Sequence, residues 1–384
     1  MIDYNYVSKT SLQFIFMDIN LVALAHTVRK DTALEILRDI SAKRLNLLKQ
    51  MAGDPVPRLW CPPLTHYTED IEIDQKRMAA HWNFMSPYVN SFLIPGSTGD
   101  AWEMEDNEIN NLLNISLGLA RDYNSKILVG VLKSDASATL QGISEWLSIL
   151  KRKAAKDNAI EAMKSCGVCG FTICPPRGSE ITQETMDKEL KVVLELSIPI
   201  VLYQLPQVTE NEMSSSLVTG LTDNYNNLIL LKDSSGGDSV ALEGDGSRLP
   251  FLLRGAEGNY AQWLKESGGP YHGLLLSTAN CFPRELKEMI VHLESGRIEE
   301  AVNLSNNLSR VIEQVFAVVE SIPEGNPFTN ANKAMDHYMA YGKEARNTKP
   351  PMLHAGISLP EEVIFRVGNL LESSALIPDK GYMV

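Results

Sequence analysis

Three short stretches of this 384-residue chain carry side chains that could do chemistry. The run Leu228-Ile229-Leu230-Leu231 delivers Lys232, followed by Asp233-Ser234-Ser235-Gly236. A lysine carried into an apolar interior has its ammonium disfavoured by desolvation, which frees the amine as a nucleophile. The plainer alternative is an ion pair with Asp233 or another carboxylate. The run Ile200-Val201-Leu202 delivers Tyr203, followed by Gln204-Leu205-Pro206. Its phenol could shuttle protons or sit hydrogen-bonded in a core. Gly96-Ser97-Thr98-Gly99-Asp100 follows a third apolar run and precedes a helical pattern. Two hydroxyls and free amides at a helix start suit a small anion such as a carboxylate, although the same turn also serves as a plain cap. The Gly-Lys-Ser/Thr ending of a phosphate P-loop is missing, and Asp100 adds negative charge.

These residues need a scaffold that sets strand ends side by side. From residue 58 onward, short apolar runs alternate with longer amphipathic segments: Leu59–Pro63, Ser91–Pro95, Lys126–Leu132, Gly167–Cys174, Pro199–Leu205, Leu228–Leu231, Pro250–Leu253 and Gly273–Leu276. Most are apolar throughout, as in parallel strands buried on both faces. Eight such units, with helical patterns such as Asn107–Arg121 and Glu184–Leu196 between them, predict an α/β fold, a (β/α)8 TIM barrel. The three chemical stretches then fall at strand ends two, five and six, where such barrels place their sites. After the eighth run only helical patterns remain, at Arg284–Leu293, Ile298–Ser321, Pro327–Tyr341 and Pro360–Ser373, the last opened by a capping-box spacing at Ser358 and Glu361. The division expected is an N-terminal helical extension over 1–57, ending at Asp54-Pro55-Val56-Pro57, a barrel over 58–290, and a C-terminal helical appendage over 291–384.

The order Gly-Ser-Thr-Gly-Asp, then Tyr-x-x-Pro, then Lys-Asp-Ser-Ser-Gly resembles the pyruvate-dependent class I aldolase and lyase superfamily, which includes dihydrodipicolinate synthase, N-acetylneuraminate lyase and the 2-keto-3-deoxy sugar acid aldolases. Ser277-Thr278-Ala279-Asn280 with Pro283, Pro175-Pro176, and Lys349-Pro350-Pro351-Met352-Leu353 extend the likeness over residues 58 to 378. The resemblance implies that Lys232 forms a Schiff base with the ketone of a 2-oxo acid. Tyr203 would move protons, and Gly96, Ser97 and Thr98 would hold the carboxylate, Ser97 also linking to the tyrosine hydroxyl. The covalent imine on Lys232 calls for no cofactor and no metal. The family also implies a homo-oligomer and a small-molecule 2-oxo acid partner.

Four departures bear on the substrate. Val208 stands where the synthase branch has an arginine that binds the aldehyde partner's distal carboxylate, and valine cannot make that bidentate contact. Arg177-Gly178 follows Pro175-Pro176, where many members carry a tyrosine pair, one of which completes a hydroxyl relay across a subunit interface. Asp100 replaces a glutamate and Gln204 an asparagine. The positions matching the hydroxyl-binding residues of the sialic acid lyase branch are Gly255, Glu257 and Ser277, with Glu257 also readable as a solvated loop carboxylate. The chain therefore sits closer to the sugar-acid side than to true dihydrodipicolinate synthase. The reading is a Schiff-base lyase or aldolase, pyruvate-releasing or dehydrating, on a 2-keto-3-deoxy sugar acid or related hydroxylated 2-oxo acid. The alternatives are a synthase-like condensation of pyruvate with an aldehyde and a catalytically impaired homologue that binds 2-oxo acids.

Composition narrows the remaining classes. With 44% apolar and 22% charged residues, the chain has material for a core. Thirty-five basic against 48 acidic residues give a net charge of −13, which opposes binding to a phosphate backbone, so nucleic acid is not an expected partner. No stretch approaches the ~20 apolar residues of a membrane span, the start lacks a signal-peptide pattern, and five cysteines do not form a disulfide framework. A reduced, cytoplasmic setting is expected. Cys166 and Cys169 have metal-like spacing without a second pair and read as core, and the seven histidines form no HxH or HExxH pair.

Overall fold

The computed structural model describes residues 34–384. Of the expected N-terminal extension, residues 1–33 lie outside the described residues, while 34–52 form helix α1. Its Leu48, Met51 and Ala52 are buried in the main core. Arg44 from the same helix donates to the carbonyl of Thr222, and burial lowers its pKa to about 10.

Eight parallel strands follow: β1 (Leu59–Trp60), β2 (Ser91–Ile94), β3 (Lys126–Gly130), β4 (Val168–Ile173), β5 (Ile200–Gln204), β6 (Leu228–Asp233), β7 (Phe251–Arg254) and β8 (Gly273–Leu275). Each pairs with its neighbours in chain order, and β1 pairs with β8. The ring closes through Cys61, whose N–H donates to Ser91 O (3.1 Å) and whose carbonyl accepts from Leu93 N (3.0 Å). This is the (β/α)8 barrel, and all eight apolar runs are strands. Most strand residues are fully buried because helices cover the outside of the ring and side chains fill its interior.

The helices are α2 (Gln75–Met85), α3 (Asp106–Asp122), α4 (Ala136–Ala154), α5 (Ala159–Ser165), α6 (Gln183–Leu194), α7 (Pro206–Thr209), α8 (Ser215–Asn224), α9 (Ser239–Glu243), α10 (Pro283–Glu294), α11 (Ile298–Val319), α12 (Pro327–Tyr341) and α13 (Glu361–Ser373). Short polar side chains start many of them. Asp135, Asn158, Thr182, Ser214 and Asn326 each accept from the amide three residues on.

One capping expectation is corrected. At α13 the N-cap is Pro360, with no side-chain bond. Ser358 is held in a bridge to Met352 and turns its Oγ to the methionine sulfur, so it cannot reach the helix amides. The reciprocal box occurs instead at α3, where Glu105 and Glu108 cap each other's backbone.

Helices α11 to α13 pack together as the C-terminal appendage, and α12 is buried over nearly its whole length, with its N-terminus against the Ser97–Gly99 turn. Among the described residues no helix is long and apolar enough to cross a membrane.

Candidate active site at the barrel mouth

Strand alternation decides where the lysine goes. Neighbouring residues on a strand face opposite sides, so Lys232 and Asp233 diverge. Asp233 accepts from Ser235 N (2.9 Å) and Ser235 Oγ (2.7 Å) and from the Tyr271 hydroxyl (3.3 Å). Burial raises its pKa, against those hydrogen bonds. The Lys232–Asp233 ion pair left open by the sequence is absent, and Lys232 makes no ion pair among the described residues. Its register partner on β5 is Tyr203. The Lys232 Nζ lies 3.9 Å from the centroid of the Tyr203 ring, a cation–π distance. Both side chains are almost wholly buried.

Gly255, at the end of β7, is small for a reason visible here. A Cβ at that position would sit 2.7 Å from Lys232 Cε and overlap Ser234 Oγ. The glycine leaves room for the lysine stem.

The Gly96–Asp100 turn faces this pair across the mouth. Ser97 Oγ is 3.4 Å from Tyr203 Oη, the link expected from the sequence. Among the described residues the amides of Ser97 and Thr98 and the Thr98 hydroxyl make no hydrogen bond, so three donors remain for an anion. The carbonyls of the same turn are held from behind by the appendage. Asn326 Nδ2 donates to Ser97 O (3.1 Å) and Thr329 Oγ1 to Thr98 O (3.0 Å). Asp100 lies in the left-handed region at φ 65°, which aspartate tolerates better than glutamate. It accepts from Tyr67 Oη (2.9 Å) and pairs with the buried Lys333 of α12 (3.5 Å). Gln204 pins the loop after α7 through Met213 N (2.8 Å).

At the β7–β8 side, Glu257 is not the solvated carboxylate that one alternative allowed. It accepts from Ser277 Oγ (2.5 Å), Thr278 N (3.1 Å), Thr278 Oγ1 (2.6 Å) and Tyr260 Oη (2.9 Å). Four donors saturate a carboxylate. Glu257 and Ser277 therefore lie together, bonded to each other, and the glutamate fixes the β8 loop. Neighbouring Arg254 is spent on Asp238 (2.9 and 3.0 Å) and on the carbonyls of Ala256 and Gly258.

The wall around Tyr203 is apolar, made of Ala101, Leu132, Cys174 and Leu205 with Trp102 and Val208 against them. Val208 occupies the side where an arginine would serve a distal carboxylate. Arg177 points elsewhere, half-exposed and paired with Glu210 at 2.9 Å. Burial pushes the Cys174 thiol up to about 12. Cys169 is likewise pushed up to about 12 and Cys166 makes no metal cluster among the described residues, so this pair is packing.

Residues 153–341 match the profile described as Dihydrodipicolinate synthetase family. A 4-hydroxy-tetrahydrodipicolinate synthase of Archaeoglobus fulgidus is 23% identical over 329 residues, covering 82% of this chain and 96% of the archaeal protein. Over residues 153–341 the chain resembles the dihydrodipicolinate synthetase family. A 4-hydroxy-tetrahydrodipicolinate synthase of Persephonella marina is 24% identical over 272 residues, with 66% of this chain and 81% of that protein covered. Among solved structures, a prophage protein of this family from E. coli K12, in complex with pyruvate, aligns at a TM-score of 0.64 and 19% identity, covering 83% of this chain and 99% of that one. A 2-keto-3-deoxygluconate aldolase of Sulfolobus aligns at 0.62 and 15% identity, covering 83% and 96%. These structural likenesses show the shared fold.

Other polar centres escaped the sequence. His66, His81 and Asp336 converge, although no histidine motif announced it. His66 Nε2 is 2.9 Å from His81 Nδ1, His81 Nε2 donates to Asn280 O (2.9 Å), and Arg77 pairs with Asp336 (2.8 Å). The guanidinium already neutralises the carboxylate, and the ring nitrogens that meet are bonded to each other. This is a bonded hub tying α2, the β8 loop and α12 together. Trp102, Asn326, Thr329 and Lys333 were also missed. The signals present were an Asn-Pro-x-Thr helix start at Asn326 and a helix, α12, with polar residues on every side.

Proposed function

We propose that the chain is a Schiff-base-forming lyase or aldolase of 2-oxo acids. The observation that carries this reading is the Lys232 amine, free of any carboxylate, beside the Tyr203 phenol and facing the unpaired donors of Ser97 and Thr98. The substrate carboxylate docks on those donors, which sets its C2 carbonyl toward Nζ. The neutral amine adds to C2, forming the C–N bond, while the carbonyl oxygen takes a proton relayed by Tyr203. The nitrogen loses a proton, and the hydroxyl departs as water with a proton returned through the phenol, leaving the iminium. In aldol cleavage the C4 hydroxyl gives up its proton, the C3–C4 bond breaks and the aldehyde leaves. The electron pair passes into the iminium as an enamine. Protonation at C3 and hydrolysis release pyruvate and restore Lys232.

We place the substrate among hydroxylated 2-oxo acids such as the 2-keto-3-deoxy sugar acids. Two features support this. The Ser277 hydroxyl, aimed by Glu257, keeps an acceptor lone pair at the β8 loop. Val208 lies on the apolar wall beside Tyr203, and Arg177 is paired with Glu210, so neither meets a second carboxylate. The test is incubation with a panel of 2-keto-3-deoxy sugar acids, scoring pyruvate release. Turnover of at least one, lost in Lys232→Ala, is the expected result. Turnover only in the condensing direction with a carboxylated aldehyde would move the chain to the synthase branch.

A further inference from the structure

The geometry points to Trp102 as a positioning residue of the proton shuttle, donating to Ser97 behind Tyr203. This rests on the lyase reading above and goes beyond it in naming what completes the relay.

Among the described residues the Tyr203 hydroxyl has one partner, Ser97 Oγ at 3.4 Å, and Ser97 Oγ in turn accepts from the Trp102 indole Nε1 at 3.0 Å. Nothing from the loop after β4 reaches this chain of groups through a polar contact. Arg177 N is bonded to Ser134 O (3.0 Å) and Gly178 N to Thr209 O (2.9 Å), which fixes that loop, and the Arg177 side chain, 53% exposed, turns to Glu210. The group that donates to Ser97 Oγ among the described residues is thus an indole packed on the Ala101, Leu132, Cys174, Leu205 wall.

The chemistry of the new member differs from a hydroxyl. An indole N–H donates and cannot accept. It occupies one lone pair of Ser97 and leaves the serine proton as the mobile one beyond the tyrosine among the described residues. When the phenol has given its proton to the leaving hydroxyl, the serine O–H is free to turn toward the phenol oxygen, and the indole passes no proton on. Trp102 touches neither substrate nor Lys232 in this scheme. It acts through Ser97.

The experiment uses the full chain and pyruvate as the probe. Imine–enamine exchange at Lys232 replaces the C3 protons of pyruvate with deuterium in D2O, read by proton NMR as kcat and KM, and circular dichroism checks that each variant folds. Trp102→Phe keeps the apolar bulk and removes the donor. Its exchange kcat should fall about 3- to 10-fold, the weight of one hydrogen bond, with KM changed less than about twofold. In a Ser97→Ala background the same substitution should change kcat less than about twofold, because the acceptor is gone. Trp102→His, whose imidazole can supply an N–H, should recover part of the loss, and it replaces the phenylalanine variant in the cycle should that one not fold. An equal loss in both backgrounds would reduce Trp102 to packing and overturn the inference, as would a Trp102→Phe enzyme at the wild-type rate. No exchange by the folded wild-type protein would overturn the lyase reading and this inference with it.

Discussion

Gly255 and Lys232 sit so close that a methyl group on the glycine would lie 2.7 Å from the lysine Cε. The amine of the proposed Schiff base is thus aimed by an absence of side chain beside it on the next strand. Gly255→Ala should push Lys232 off the Tyr203 face and slow pyruvate-dependent exchange about 10- to 100-fold, since small misplacements of reacting groups are costly. Overpacking should cost about 1–3 kcal/mol of stability. A variant with unchanged exchange would show that the lysine has other room.

Tyr203→Phe removes the hydroxyl proposed to carry protons and keeps the ring beneath the amine. Exchange should fall about 100- to 10,000-fold, the range for a general acid–base group, while the thermal midpoint stays near wild type. A loss under tenfold would assign the proton transfers to another group.

The appendage grips the anion turn from behind. Thr329→Val removes the bond to Thr98 O, and Asn326→Ala removes that to Ser97 O and the cap of α12. Both should raise KM for pyruvate more than they lower kcat, which steady-state kinetics would resolve. Lys333→Met leaves Asp100 in the interior with the Tyr67 hydroxyl as its side-chain partner among the described residues, and breaking such a buried pair costs about 3–5 kcal/mol. A melt that moves little would show the pair to be replaceable.

Stability should depend on pH through buried imidazoles. Burial, with Lys265 and Arg58 nearby, lowers the His272 pKa from 6.5 to about 4. The folded chain then binds fewer protons than the unfolded chain between those values, so stability is full above pH 6.5 and declines as pH falls toward 4. His66 and His81 are lowered by burial as well and add to the same trend. Thermal midpoints measured from pH 7 to 4.5 should fall, and His272→Asn should flatten the slope. A midpoint indifferent to pH over that window would contradict the assignment of neutral buried rings.

The sequence was most legible where its signals were local. Largely apolar runs marked all eight strands because most of their residues are buried, and Pro327–Tyr341 was bounded by its proline and by Gly342. Lys232, Tyr203 and Ser97 were readable because they close those runs. What stayed hidden depends on side chains far apart in the chain. Glu257 could be placed in a loop, but not the Ser277, Thr278 and Tyr260 bonds that commit it. Trp102 gave no sign of bonding Ser97, since an aromatic beside a helix start reads as packing. The capping box failed at Ser358 because a competing bridge to Met352 holds that segment extended.

The most direct test of the account is reduction with borohydride in the presence of pyruvate, followed by peptide mass mapping. The account predicts a pyruvate-derived, reduced adduct on the peptide carrying Lys232, absent from Lys232→Ala. An adduct confined to another lysine such as Lys333, or none at all on well-folded protein, would contradict it.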